Sequence, residues 1–334
     1  MSSPNPNLFR KELRTADIQS YLSDIRLVSA ALSAENLRPS TCANYESFLK
    51  IFASWLVLHA NGVSFRDVDL DTVRMFVEFL KNSLLLAPNT VNGYLAAIRK
   101  MYAVVRRQEV SKRILPDLAV DTRLPHVPST EQAGRLVDVC RTNRELLFIT
   151  ILLSTGMRLC EVLNLQFRDI LRDRKLIYIR TSKGRMDGYV PLTDRVLKLL
   201  SVYCQEYLAA HTVSRLSPEH YVFFSADPGT PEKAHRIRRD YYEIMKAAGM
   251  AAEGFNIHSL RHYYALNLYL QSHDPILVKR ALRHKTYAAT EKYVLLAVSA
   301  EIQAKYTNPG EMAFQKSRRY SEEKQKGNHD ELYR

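Results

Sequence analysis

Apolar residues recur every three or four positions over residues 15–33 (TADIQSYLSDIRLVSAALS), which predicts an amphipathic helix with Thr15 or Asp17 as its N-cap. A second helix is predicted from Pro39-Ser40-Thr41, capped by Ser40 and running to a stop near Gly62. Residues 71–82 and 88–108 repeat the period, the last of them opening on polar residues and closing on a basic, aromatic face. Residues 16–111 therefore read as an all-helical domain, preceded by a disordered start at 1–15.

The pattern then breaks. Residues 112–129 carry three prolines and no helical period, which predicts a linker. Ser129-Thr130-Glu131 opens the next helix, and residues 145–166 (ELLFITILLSTGMRLCEVLNLQ) are apolar enough for a central helix pair broken near Gly156. The period switches to two in 175–180 and 188–192, two strands of a hairpin around a polar turn. From Asp194 the pattern is again helical apart from a loop at 225–231. Residues 311–334 are charged and poor in apolar residues, and read as a mobile tail behind a second domain at 130–310. The fold class expected is mainly α with a small β-hairpin, in two domains, as 334 residues also suggest.

Charge adds a partner class. Lys and Arg number 48 against 35 Asp and Glu, a net charge of +13 that favours a polyanion through counterion release. The cations are interspersed with aliphatic residues, which points to folded basic surfaces rather than a basic arm. Four cysteines (Cys42, Cys140, Cys160 and Cys204) form no CxxC pair and read as reduced and packed. The start lacks the apolar stretch of a signal peptide, and no run approaches the roughly 20 apolar residues of a membrane span. A soluble intracellular protein is expected.

Three segments carry groups suited to chemistry. Arg158 and Glu161 stand three apart in an apolar segment, one face of a helix, and are costly to bury unless paired. His258 and Arg261, again three apart at a helix start, offer a proton carrier beside a phosphate-matched fork of donors. His262 makes an HxxxH pair with His258, but no Glu, Asp or Cys third ligand is close, so no metal is expected. A basic cluster, Arg280-Ala281-Leu282-Arg283-His284-Lys285, precedes a helix bearing Tyr293. A single tyrosine at helical spacing is ordinarily core filler, and this chain has 19.

The blocks TGMRLCEVLNL, TSKGRMDGYVPL, HSLRH and LRHKTYAATEKYV, in this order and spacing, resemble the tyrosine recombinase (phage integrase) family from about residue 16 to residue 300. The resemblance implies a helical, SAM-like core-binding domain at 16–111 and a mixed α/β catalytic domain at 130–310. It implies a site-specific recombinase that cleaves and rejoins DNA through a 3′-phosphotyrosyl link and a Holliday junction. Carried onto this chain, the catalytic set is Arg158, Lys183, His258, Arg261, His284 and the nucleophile Tyr293, with Glu161 in support. Arg158 and Arg261 would stabilise the pentavalent transition state, His258 would be the base, Lys183 the acid, and His284 a donor to the phosphate. Because the covalent link conserves the bond energy, neither cofactor nor metal is required.

Arg283 is the visible departure, since the family commonly has glycine there. Tyr287 lies six residues from Tyr293, about 240° around a helix, and cannot face the same phosphate. Tyr263 and Tyr264 read as core or supporting residues. The resemblance further implies a homo-tetramer on double-stranded DNA with inverted-repeat core sites and no membrane partner. Residues 298–306 would be either a helix docking into a neighbouring protomer or ordinary packing on the chain's own domain. The compartment follows the host: cytoplasmic and nucleoid-associated in a prokaryote, nuclear in a eukaryotic or viral setting. Two other readings stay open from the residues, a type IB topoisomerase and a catalytically silent DNA-binding protein.

Overall fold

The computed structural model describes residues 6–120, 124–180, 187–211 and 215–305, and the chain divides into two units after residue 122. In the first unit the helices are α1 (Pro6–Thr15), α2 (Leu22–Ala34), α3 (Pro39–His59), α4 (Leu70–Asn82) and α5 (Pro88–Val105). Helix α1 occupies the segment expected to be disordered, and Leu13, 2% exposed, packs into the core of the unit. The helix expected from residue 15 begins later, after a 3-10 turn at Gln19–Tyr21 in which Tyr21 donates to the Val63 carbonyl (2.8 Å).

Helix α3 starts on Pro39 at its first position, where a missing N–H costs nothing, and Ser40 is not its cap. Asp69 caps α4 by accepting from the Thr72 amide (2.8 Å). Phe52, Phe65, Phe76 and Trp55 centre the core of this unit. Part of the expected linker belongs to it as well. Leu115 is buried, Arg99 donates to the Leu115 carbonyl and pairs with Asp117, and the Asn92 side chain exchanges two hydrogen bonds with the Leu118 backbone.

The second unit contains α6 (Thr130–Asp138), α7 (Asn143–Thr155), α8 (Leu159–Leu163), β1 (Ile170–Leu171), β2 (Leu176–Ile179), β3 (Gly188–Pro191), α9 (Asp194–His211), α10 (Ala234–Ala247), α11 (Ile257–Ser272), α12 (Pro275–Ala281) and α13 (Ala288–Lys305). Capping boxes, Ser129 with Gln132 and Thr142 with Glu145, open α6 and α7. The strands form an antiparallel sheet in the order β1-β2-β3, with buried Ile177 opposite buried Val190. At two residues, β1 is too short to show an alternation in the sequence. Residues 298–305 are the last turns of α13 rather than a separate helix, and the tail expected at 311–334 lies outside the described residues.

The main core of this unit joins α7, the sheet, α9 and α10. A smaller one joins α11, α12 and α13 through Ala265, Val278, Leu282 and Tyr293. Cys140 and Cys204 are half-buried, and burial pushes both thiols up to about 11, which leaves them unreactive at neutral pH. Among the described residues no helix is long and apolar enough to cross a membrane.

Candidate active site

The site is assembled from the ends of α7 and α12, the starts of α8 and α11, and the second turn of α13. Helix α7 ends at Gly156 in a left-handed conformation (φ 59°), and a Cβ there would lie 2.4 Å from the Tyr264 ring, so only glycine fits on both counts. The chain leaves this turn extended at Arg158, which caps α8 instead of standing inside it as the sequence suggested. Glu161 reaches back to accept from the Arg158 amide and from its Nη1, each at 2.8 Å. The carboxylate is buried, 5% exposed, with Arg158 half-open at 19%. Burial alone would raise its pKa, but Arg283 and the two Arg158 bonds outweigh that and hold Glu161 below the usual carboxylate range.

Helix α11 begins where the Asn256 side chain accepts from the His258 amide (2.8 Å), and it aims Arg261 into the unit. Arg261 is 1% exposed and donates to two carbonyls, Gly156 (2.5 Å) and Leu282 (2.6 Å), so it ties the end of α7 to the end of α12. Burial, then Arg158, lowers it to about 9, and it remains a cation at neutral pH.

Helix α12 closes in a Schellman motif: His284 donates its amide to the Lys279 carbonyl and Arg283 to that of Arg280. Arg283 takes the left-handed position (φ 54°), where glycine would be unstrained. The turn is kept because the side chain is bonded at its far end, Nη2 to Glu161 Oε2 (2.8 Å) and Nη1 to the Ala281 carbonyl (2.9 Å). Its stem also covers Gly188 at the start of β3, where a Cβ would lie 2.9 Å from Arg283 Cδ.

On α13, Tyr293 is 1% exposed, and burial raises its phenol to about 12 against the opposing pull of Arg261 and Arg158. Its hydroxyl meets His262 Nδ1 at 2.8 Å. The His284 ring lies parallel to the Tyr293 ring, with centroids 6.4 Å apart, and its Nδ1 bonds the buried Thr290 hydroxyl at 2.8 Å. Burial and the surrounding cations depress the histidines, His258 to about 4 and His262 and His284 to about 3, so all three are neutral at pH 7. His258 is exposed as a residue, so for it the direction rests more on Arg261, Lys292 and Arg158 than on desolvation.

The structure thus brings Arg158, Glu161, His258, Arg261, His284 and Tyr293 into one cluster beside an open cleft of about 470 Å³ lined by Arg158, Arg238 and His258. Lys183 lies outside the described residues. Tyr287 precedes α13 and is 45% exposed, apart from the buried hydroxyl of Tyr293. Sequence reasoning gave no role in the site to His262, Arg283 and Thr290. The i, i+4 spacing of His258 and His262 did place both rings on one face, and their centroids are 4.6 Å apart. The Arg283–Glu161 pair joins residues 122 apart and has no local signature. Among the described residues no group of three His, Cys, Asp or Glu side chains is placed to hold a metal.

Residues 128–299 match the model of the phage integrase family, and residues 25–114 match that of the phage integrase SAM-like domain. The putative integrase/recombinase y4qK of Sinorhizobium fredii is 25% identical over 236 residues, covering 69% of this chain and 71% of that protein. Tyrosine recombinase XerA of Thermococcus kodakarensis is 24% identical over 271 residues, covering 80% and 88%. Among solved structures, the XerH site-specific recombinase bound to a palindromic difH substrate shares the fold with a TM-score of 0.64 at 19% identity, over 90% of this chain and 93% of that one. A lambda integrase dimer bound to a COC′ core site gives 0.60 at 15% identity, over 81% and 94%.

Proposed function

The chain belongs to the phage integrase family, and on that premise we propose that it is a site-specific DNA recombinase with Tyr293 as its nucleophile. The observation that carries the assignment is the position of the Tyr293 hydroxyl, buried within the electrostatic reach of Arg158 and Arg261 and surrounded by neutral histidines. A phosphodiester repels nucleophiles by its charge, and two guanidinium groups at the non-bridging oxygens offset both that charge and the extra charge of the pentavalent state. Arg261, with two of its donors fixed on backbone carbonyls, presents the rest from a rigid position, whereas half-open Arg158 closes onto the phosphate.

Tyr293 Oη attacks phosphorus, a phosphotyrosyl bond forms at the 3′ side, and the bond to the 5′ oxygen breaks. That oxygen leaves with a proton, for which Lys183 is the donor in this scheme. Thr290 holds His284 Nδ1, so Nε2 is the nitrogen offered to a phosphate oxygen. His258, at the cleft, completes the set as a proton carrier. Strand exchange by this route calls for four protomers on two duplexes with inverted core sites, a Holliday junction between them, and the compartment that holds the DNA. The family model favours this reading over a topoisomerase or a silent DNA-binding protein.

Suicide duplexes, in which the cleaved 5′ end diffuses away, trap the covalent adduct. Wild-type protein should accumulate it, and Tyr293→Phe should bind the same duplex and form none. An adduct with Tyr293→Phe would refute the choice of nucleophile.

A further inference from the structure

We propose that His262 is a further catalytic residue, accepting the phenolic proton of Tyr293 as that oxygen attacks phosphorus; this rests on the recombinase reading above. The geometry is direct: His262 Nδ1 stands 2.8 Å from the Tyr293 hydroxyl, and no other hydrogen bond to that hydroxyl is seen among the described residues. His258, the histidine the sequence marked as the base, lies one helical turn earlier on the cleft side of His262.

The protonation states fit an acceptor. Burial keeps Tyr293 a phenol, so at neutral pH it has a proton to give. Burial and the facing groups, His258 and Arg261 on the same helix, Lys292 on α13, and His284 beyond α12, keep His262 neutral, so it has a lone pair to receive one. An imidazole amid cations is a poor base in the empty site. The anionic phosphate that must lie against Arg158 and Arg261 reverses the local field and makes the imidazolium easier to form when the tyrosine attacks.

The step balances without any added reactant. The Oη–phosphorus bond forms, the phosphorus–O5′ bond breaks, the phenol proton moves to His262 Nδ1, and the 5′ oxygen takes its proton from the leaving-group acid of the scheme above. On rejoining, the 5′ hydroxyl returns its proton to that acid and displaces the tyrosine oxygen, which recovers its own proton from His262. The same residue therefore serves cleavage and ligation, as microscopic reversibility requires.

The test compares wild type with His262→Asn, whose side chain can still accept from the phenol but cannot be protonated. The probe is a nicked suicide duplex bearing the half-sites recovered by trapping wild-type adducts from a randomised duplex library. Failure of wild type to trap any duplex would refute the recombinase reading itself. With an adduct in hand, His262→Asn should bind the duplex normally, cleave about 10²-fold more slowly, and lose the wild-type acid limb of the pH–rate profile. A second probe carries sulfur in place of the bridging 5′ oxygen, so that the leaving thiolate needs no proton. The deficit should persist there; its disappearance would assign His262 to the leaving group and overturn the proposal. So would a variant as fast as wild type. Should the variant fail to fold, ¹⁵N NMR of the wild-type imidazole decides: an unprotonated Nδ1 supports the acceptor role, and a protonated one refutes it.

Discussion

Replacing Arg283 by glycine and, separately, by alanine resolves two opposed effects at one backbone position. Both variants remove the bond to Glu161, whose carboxylate keeps two of its three donors, the amide and Nη1 of Arg158. Taking one partner from a buried ion pair costs about 3–5 kcal/mol when nothing remains, so with two donors left about 2 kcal/mol is expected. Arg283 Nε is buried with no acceptor among the described residues, and losing it offsets part of that cost. Only glycine also relieves the left-handed backbone at φ 54°, a strain of about 1–2 kcal/mol, less up to about 1 kcal/mol for its freer unfolded chain. The expected order of stability is wild type, then Arg283→Gly, then Arg283→Ala, with glycine ahead of alanine by roughly 1 kcal/mol.

The assay has to address the right unit. The single tryptophan, Trp55, is in α3 of the first unit, whereas Arg283 belongs to the second. Native-state hydrogen exchange at the amides of Arg283, His284 and α13 reports it, at a factor of ten per 1.4 kcal/mol. Exchange should be about fivefold faster in the alanine than in the glycine variant. Equal protection of the two variants would refute the account of the turn.

Gly156→Ala meets both a left-handed backbone and the Tyr264 ring, and it displaces the carbonyl that fixes Arg261. A loss of more than about 2 kcal/mol from the second unit is expected in the same exchange measurement, and a neutral outcome would show that Tyr264 yields freely. For pH, His262 and His284 are depressed in the fold relative to an ordinary value near 6.5. The unfolded chain then binds protons that the folded one refuses, so the stability these residues confer is full above about pH 6.5 and is lost as pH falls toward their folded values. NMR of the free protein should show neither imidazole titrating between about pH 8 and 5, and a midpoint near 6.5 for either would contradict their burial among cations.

What the sequence disclosed and what it withheld divide along the range of the interactions. Helix existence was legible from periodicity over α3, α4, α5 and α7, and the hairpin from its alternation, because those signals lie within a few residues. Helix α1 was not, since Leu13, which anchors it among its described side chains, packs on partners that lie elsewhere in the chain. The position of Arg158 was misjudged by one structural step. The glycine that ends α7 was seen, but not that the extended residue two places later becomes the cap of α8. The catalytic candidates emerged from ordered motifs, yet the partner of the tyrosine hydroxyl proved to be His262 rather than His258. A one-turn choice of that kind depends on how α11 and α13 rotate against each other, which no local pattern encodes.

The cluster gathers three guanidinium groups, on Arg158, Arg261 and Arg283, around the carboxylate of Glu161, with the hydrogen bonds of Arg261 going to backbone carbonyls among the described residues. An arrangement with surplus positive charge is uncomfortable while empty and comfortable once an anion is seated. Durability of the resting protein and affinity for the scissile group therefore pull on the same side chains in opposite directions. Anyone seeking a hardier version by neutralising this cluster would be removing the means of holding substrate, and robustness has to be built at a distance, in places such as the core that joins α7, the sheet, α9 and α10.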